Sequence, residues 1–285
     1  MTPGHEVAPE SEVTPVAEVT PEPEVTAVPG AEPAVGITRS GAVGEIRIGD
    51  GGRRNALPGA AWAALARRIR ELGACRSLRV LVIRGQGDTF CAGSDMTDWV
   101  AADPGRVEES FAHMEAAFTA IEDCPVPVIA EVRGVAAGAG CQLALACDLR
   151  LMAATARIGM PIARLGILAS PLFAARLVAL AGPGTARELL YTGRLVEART
   201  AVALGLADRC VPDDRLTEHV GRLAAGIADH PPAAIRAAKR AVVAALAPQR
   251  TATAAPQRPV VARPHFDRAI AAFLGRPSAA PPDRA

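Results

Sequence analysis

Apolar and polar positions change period several times along this chain. Residues 43–48 alternate, with Ile46 and Ile48 set between Glu45 and Arg47, which predicts a half-buried strand closed by the turn Gly49-Asp50-Gly51-Gly52. From residue 53 to about 72 the spacing becomes helical, since Leu57, Ala61, Leu65, Ile69 and Leu72 share one face. Continuous apolar runs at 79–84 and 127–132 predict strands buried on both sides, and 149–153 and 157–160 read as further, shorter strands. Between them lie a Gly-rich break at 85–88, a compact turn at 89–96 entering a short helix, a helix at 107–121, and a small-residue turn at 134–140 leading into a helix at 141–147. Beyond residue 171 only helical periods recur, at 172–181, 186–191, 197–205, 214–228, 232–246 and 265–274. Strands alternating with helices, then helices alone, predict an α/β core followed by a helical C-terminal region.

At 285 residues, half of them hydrophobic, the chain can bury one sizeable core. The net charge of +1 is unevenly distributed. Residues 1–35 repeat a Glu-Val-x-Pro theme with seven Glu, seven Pro and no Lys or Arg, which leaves 31 cationic against 23 acidic residues, or +8, on residues 36–285. Such an acidic, proline-studded segment cannot offset its chain entropy by apolar burial and is expected to be a disordered tail. Residues 36–195 are expected to form the core, and 196–285 the helical region with a Pro-rich break at 247–264. The mildly basic core suits an anionic small ligand, but scattered cations and few aromatics argue against a nucleic-acid surface. Six cysteines show no C-x-x-C pair and no His at metal-ligand spacing, so free thiols in a reducing compartment are expected. No segment reads as a signal peptide or membrane span, and the chain reads as cytoplasmic.

The run 134–147 combines a Gly/Ala turn, which lets a ligand approach the main chain, with a helix start whose first N–H groups are unpaired. That arrangement suits an anion or an oxygen that becomes one. Close packing of a helix on a strand calls for the same small residues, so the turn alone leaves both roles open. Gly138-x-Gly140 lacks the third small residue of a dinucleotide fingerprint, Leu143 standing in its place, and no G-x-S-x-G occurs.

Three runs in order remove the ambiguity: Phe90-Cys91-Ala92-Gly93-Ser94-Asp95-Met96, then 129–134 leading into Gly138-Ala139-Gly140-Cys141-Gln142, then Tyr191-Thr192-Gly193-Arg194 with 201–212. Together they closely resemble the crotonase (enoyl-CoA hydratase/isomerase) family, over about residues 36–246 and again at 269–277. The resemblance implies an α/β spiral of ββα repeats with a helical C-terminal trimerisation region, assembled as a homotrimer or hexamer. It implies an acyl thioester of coenzyme A, or of an acyl-carrier protein, as substrate, with no separate cofactor. The backbone N–H groups of Ser94 and Ala139 would form an oxyanion hole for the thioester oxygen. Arg54, Ala56 and Leu57 would line the coenzyme A site, with Ala92, Gly93, Asp95, Met96 and Gly138 also contacting substrate.

The departures from the family pattern bear on the reaction. Where family hydratases carry two glutamates that manage water and proton, this chain has Gln142 and Ile162; Ser170 replaces an expected glycine and Thr97 a frequent lysine. Gln exchanges no proton and Ile binds no water. Ordinary hydration is therefore disfavoured, and decarboxylation of a malonyl-type thioester, which forms the enolate without a base, fits the residues better. Isomerisation would need another acid, for which the 107–121 helix offers Glu108, Glu109 and His113. A non-catalytic acyl-thioester binder, or a scaffold acting through the acidic tail, is the alternative of a different class.

Overall fold

A computed structural model describes residues 26–27, 34–100, 102–251 and 259–275. The chain enters as β1 (Thr26–Ala27), β2 (Val35–Ser40) and β3 (Val43–Ile48), an antiparallel meander in which Val35 faces Ile48 and Ile37 faces Ile46. β1 and the first residue of β2 fall within the segment expected to lack structure, and β2 was not foreseen; its short Val-x-Ile alternation gains burial only against β3. Residues 1–25 and 28–33 of the acidic tail lie outside the described residues.

The helix expected from residue 53 starts later. Arg53, Arg54 and Asn55 take left-handed φ values of 45°, 54° and 56°, and α1 (Gly59–Ala74) begins after Pro58. The local reason is Asn55. Its buried amide accepts from the Gly51 N–H (2.9 Å) and donates to the Gln86 (2.8 Å) and Thr89 (2.6 Å) carbonyls, holding a turn that Asn tolerates better than most residues.

β4 (Val80–Gly85) leads through a 3₁₀ turn at Met96–Trp99 to α2 (Pro104–Glu122), which is capped by the Asp103 carboxylate on the Arg106 N–H at 3.0 Å. Then come β5 (Val128–Val132), β6 (Val135–Ala137), α3 (Ala139–Ala146), β7 (Leu149–Ala153), β8 (Arg157–Gly159) and a 3₁₀ turn at Pro161–Leu165. α4 (Pro171–Thr192) breaks at Gly182 (φ 74°) ahead of Pro183, so it packs as the two helices expected. β9 (Leu195–Glu197), α5 (Ala198–Ala203), β10 (Arg209–Val211), α6 (Leu216–Ala228), α7 (Pro232–Thr251) and α8 (His265–Phe273) complete the chain. β6, β9 and β10 are three-residue strands too short to show a period of two.

One sheet has the order β1-β2-β3-β4-β5-β7-β10, parallel from β3 onward, and a smaller sheet has the order β6-β8-β9. β5, β6 and α3, then β7, β8 and α4, each supply a strand to the large sheet, a strand to the small one and a helix. This is the ββα repetition expected. α1 and α2 pack through Trp62 and Phe118, edge to face at 5.6 Å, within a continuous core. The Pro-rich break is partly built into the fold: α7 continues to Thr251, and Val261 bridges Ile167 while the Ala262 N–H donates to the Gly166 carbonyl at 2.8 Å. Among the described residues no helix is long and apolar enough to cross a membrane.

Candidate active site

Two turns at the ends of β4 and β5 are locked together by main-chain bonds. The Cys91 N–H donates to the Val135 carbonyl (2.9 Å), and the Ala137 N–H donates to the Cys91 carbonyl (3.0 Å). Gly140 is required at this crossing, because a Cβ there would overlap the Cys91 carbonyl oxygen. Gly93 (φ 111°) lies against Ala137 and Ala139: its Cβ would stand 3.0 Å from the Ala137 oxygen and 3.4 Å from the Ala139 nitrogen.

The left-handed 53–55 turn holds the other side of this loop. The Ala92 N–H donates to the Arg54 carbonyl (2.9 Å), Leu57 to Gly93 (2.8 Å) and Asp95 to Leu57 (2.9 Å). The N–H groups on either side of Ser94 are thus engaged or turned away, while those of Ser94 and Ala139 have no acceptor among the described residues. Ala139 is the first residue of α3, where an unpaired donor is intrinsic to the helix start. Asp95 accepts from the Thr97 N–H at 3.0 Å and pairs with Arg53 at 2.6 Å, fixing the entry to the 3₁₀ turn.

Ser94 and Ala139 line one cavity, together with Ala92, Gly93, Met96, Gly138 and Ile162 from the sequence-derived set. Arg54, Ala56, Leu57 and Asp95 do not line it. Arg54 is exposed, Leu57 is wholly buried in the core, and this segment reaches the site only through its backbone. The other walls are Trp99, Phe111, Met114, Pro161, Leu165, Ile167 and Phe173, which sequence reasoning missed. Phe111 and Met114 were legible as an i,i+3 pair on the 107–121 period; nothing local marked Phe173 or Ile167. Trp99 stacks on Phe111 (5.5 Å, 19°), and the Ser94 hydroxyl donates to the Met114 sulfur at 2.8 Å.

No ionisable side chain is among the lining residues. Glu108, Glu109 and His113 are not among the residues that line the cavity. Cys91 sits beneath the Ala92 turn, and burial pushes its thiol up to about 12, so it stays protonated at neutral pH.

Gln142, at one of the two positions where the resemblance leads a glutamate to be expected, is fully buried and turned inward. Its Nε2 donates to the Phe173 carbonyl (3.3 Å) and its Oε1 accepts from Arg176 (3.4 Å). Arg176 is itself held by Glu115 and Glu122 and lies over the Phe118 ring at 5.2 Å. The carboxylates beside it keep its guanidinium charged despite burial.

The enoyl-CoA hydratase/isomerase family model matches residues 38–269. The chain belongs to this family. Among relatives, a Thermus thermophilus protein carrying a provisional enoyl-CoA hydratase name is 35% identical over 207 residues, 72% of this chain and 81% of that one. The crotonyl-CoA hydratase of Syntrophomonas wolfei is 36% identical over 166 residues, 58% of this chain and 64% of that one. An enoyl-CoA hydratase/carnithine racemase structure from Magnetospirillum magneticum superposes with a TM-score of 0.72 at 28% identity, covering 87% of this chain and 96% of that one. The two residues that the sequence singled out in this enoyl-CoA hydratase/isomerase family enzyme have different surroundings: Ile162 lines the cavity, whereas Gln142 faces Arg176.

Proposed function

We propose that the cavity binds an acyl thioester with its carbonyl oxygen between the Ser94 and Ala139 N–H groups, and that the chemistry is decarboxylation of a malonyl-type thioester. The observation that carries this reading is two unpaired main-chain donors in a cavity without an ionisable side chain. Hydration and isomerisation both need a group that removes or delivers a proton, and decarboxylation does not begin with one.

In the proposed step the bond between the α-carbon and the carboxylate carbon breaks and CO₂ leaves. The released pair forms the enolate double bond while the thioester carbonyl pair moves onto oxygen, where the two donors stabilise it. Water then supplies a proton to the α-carbon. The buried Ile162 presents an apolar surface that disfavours a substrate carboxylate more than the CO₂ it becomes. The thioester carrier is coenzyme A by family, and the site is equally compatible with an acyl-carrier protein.

The test is CO₂ release from malonyl-CoA and methylmalonyl-CoA. Turnover of either above background is expected; no turnover with both removes the decarboxylase reading. The same lining favours a second reading, binding without chemistry, which is indicated if calorimetry then detects acetyl-CoA binding by the inert protein.

A further inference from the structure

A second cavity, of about 210 Å³, opens over adjoining parallel strands and shares no lining residue with the first. Its walls are Arg47 of β3, Arg84 of β4, Glu131 of β5, Arg133 just beyond it, the Gly85-Gln86-Gly87 turn and Thr217 of α6. The register explains the cluster. Arg47 pairs with Arg84 and Arg84 with Glu131 across adjacent strands, so all three side chains leave the sheet on one face, opposite the buried Ile46, Ile48 and Ile83.

The cluster is satisfied only in part. The wholly buried Glu131 accepts from Thr217 (2.7 Å) and Arg133 (3.4 Å), and Arg133 donates its remaining groups to the Asp213 carbonyl (2.7 Å) and Thr217 (3.0 Å). Arg84 reaches Glu45 (3.0 Å) and Glu131 (3.2 Å) through a single nitrogen, and Arg47 meets Glu45 through Nε at 2.5 Å. Arg84 Nε is buried without a hydrogen-bond partner among the described residues, and both terminal nitrogens of Arg47 lack one there as well. Gly87 (φ 68°) leaves the rim of the turn open. Three guanidinium groups face two carboxylates, Glu45 and Glu131, so the cluster carries one uncompensated positive charge; its unmet groups are the Arg84 and Arg47 donors and one acceptor, Glu131 Oε2, which meets only a terminal nitrogen of Arg84 as an ion pair at 3.2 Å.

We propose that this cavity is a binding site for a phosphate-type oxyanion, received in the fork of Arg47 and Arg84. Guanidinium groups match the spacing of oxyanion oxygens, and an oxyanion here meets the orphan donors while neutralising the like-charged pair that the register brings together. Glu131 and Arg133 act from below as positioning residues that hold Arg84.

The test is thermal unfolding of the full chain in inorganic phosphate against sodium chloride at matched ionic strength. A phosphate-specific rise in Tm is expected in the wild type, growing with concentration as mass action requires. Arg47→Gln should abolish most of that rise. Because Arg47 is half exposed, this variant should fold; Arg84→Gln should remove the rise as well, from a lower starting Tm. Arg53→Gln, next to the candidate active site, should keep it, which separates the two sites. Equal stabilisation by chloride, or a phosphate response surviving in both Arg47→Gln and Arg84→Gln, overturns the proposal.

Discussion

Both ends of the Gln142 amide are engaged inside the protein, so placing a glutamate there should not confer hydratase chemistry. In Gln142→Glu an oxygen replaces the nitrogen that faces the Phe173 carbonyl, and the new carboxylate joins two others already on Arg176. A destabilisation of about 1–3 kcal/mol in urea unfolding is expected from the opposed acceptors. Crotonyl-CoA hydration should stay at the wild-type level; a gain would show that the side chain reaches the cavity. A second residue-scale prediction concerns Cys75, whose thiol is lowered from 9.0 to about 7 by hydrogen bonds from Ser77, side chain first, with Arg39 assisting. The folded state thus favours the thiolate, so this group's contribution to stability is present above the unfolded value and lost as pH falls through about 7. Alkylation of the native protein should begin at Cys75 with a rate midpoint near pH 7, and Ser77→Ala should move that midpoint upward. Cys91, Cys141 and Cys147, pushed up to about 12 by burial, should remain unlabelled until the protein unfolds.

At the scale of elements, the candidate site depends on how closely α3 approaches the Cys91 turn. Gly140 and Gly138 contribute differently to that approach. A Cβ on Gly140 would meet the Cys91 main chain, whereas one on Gly138 would meet open space and suffer only from φ 55°. Gly140→Ala should therefore cost about 3–4 kcal/mol, by forcing two backbones apart, and Gly138→Ala less, about 1–3 kcal/mol, by backbone strain alone. Comparable losses in urea unfolding would show that the crossing is not as tight as described. This close approach was legible in the Gly/Ala composition of 134–140, though only as one of two roles. The long elements were legible too, because α1 and α2 have apolar faces that repeat at the helical period and β4 and β5 are continuous apolar runs. The left-handed turn before α1 was not, since Leu57 continues the helical spacing although its side chain belongs to the core of a different element. What holds that turn is Asn55 bonding to Gln86 and Thr89, partners more than 30 residues away. Trp99 and Phe173 were hidden for the same reason, being brought beside Phe111 from separate segments by tertiary packing.

For the whole molecule, the C-terminal helices bear on assembly. α7 is fastened to the core by Lys239, which is buried and donates to the Ile121 carbonyl (3.2 Å), the Val126 carbonyl (3.0 Å) and the Asp148 carboxylate (2.8 Å). This anchor leaves a broad apolar groove between α4 and α7, walled by Leu145, Leu172, Leu180, Ile227, Ile235 and Val242. Val242 is 60% exposed and Leu246 is exposed beside it. A contiguous apolar surface of this kind is disfavoured in water and gains by being covered. A trimer or hexamer, as the family resemblance implies, would supply that cover if copies of the chain met at this groove. Sedimentation equilibrium should accordingly return a mass of three or six chains, each of 29.4 kDa. Val242→Glu sets a charge on an apolar contact without touching the Lys239 anchor, and should shift the distribution toward single chains while far-UV circular dichroism is retained. A monomeric wild type, or a variant that assembles as the wild type does, would place the contact between copies elsewhere.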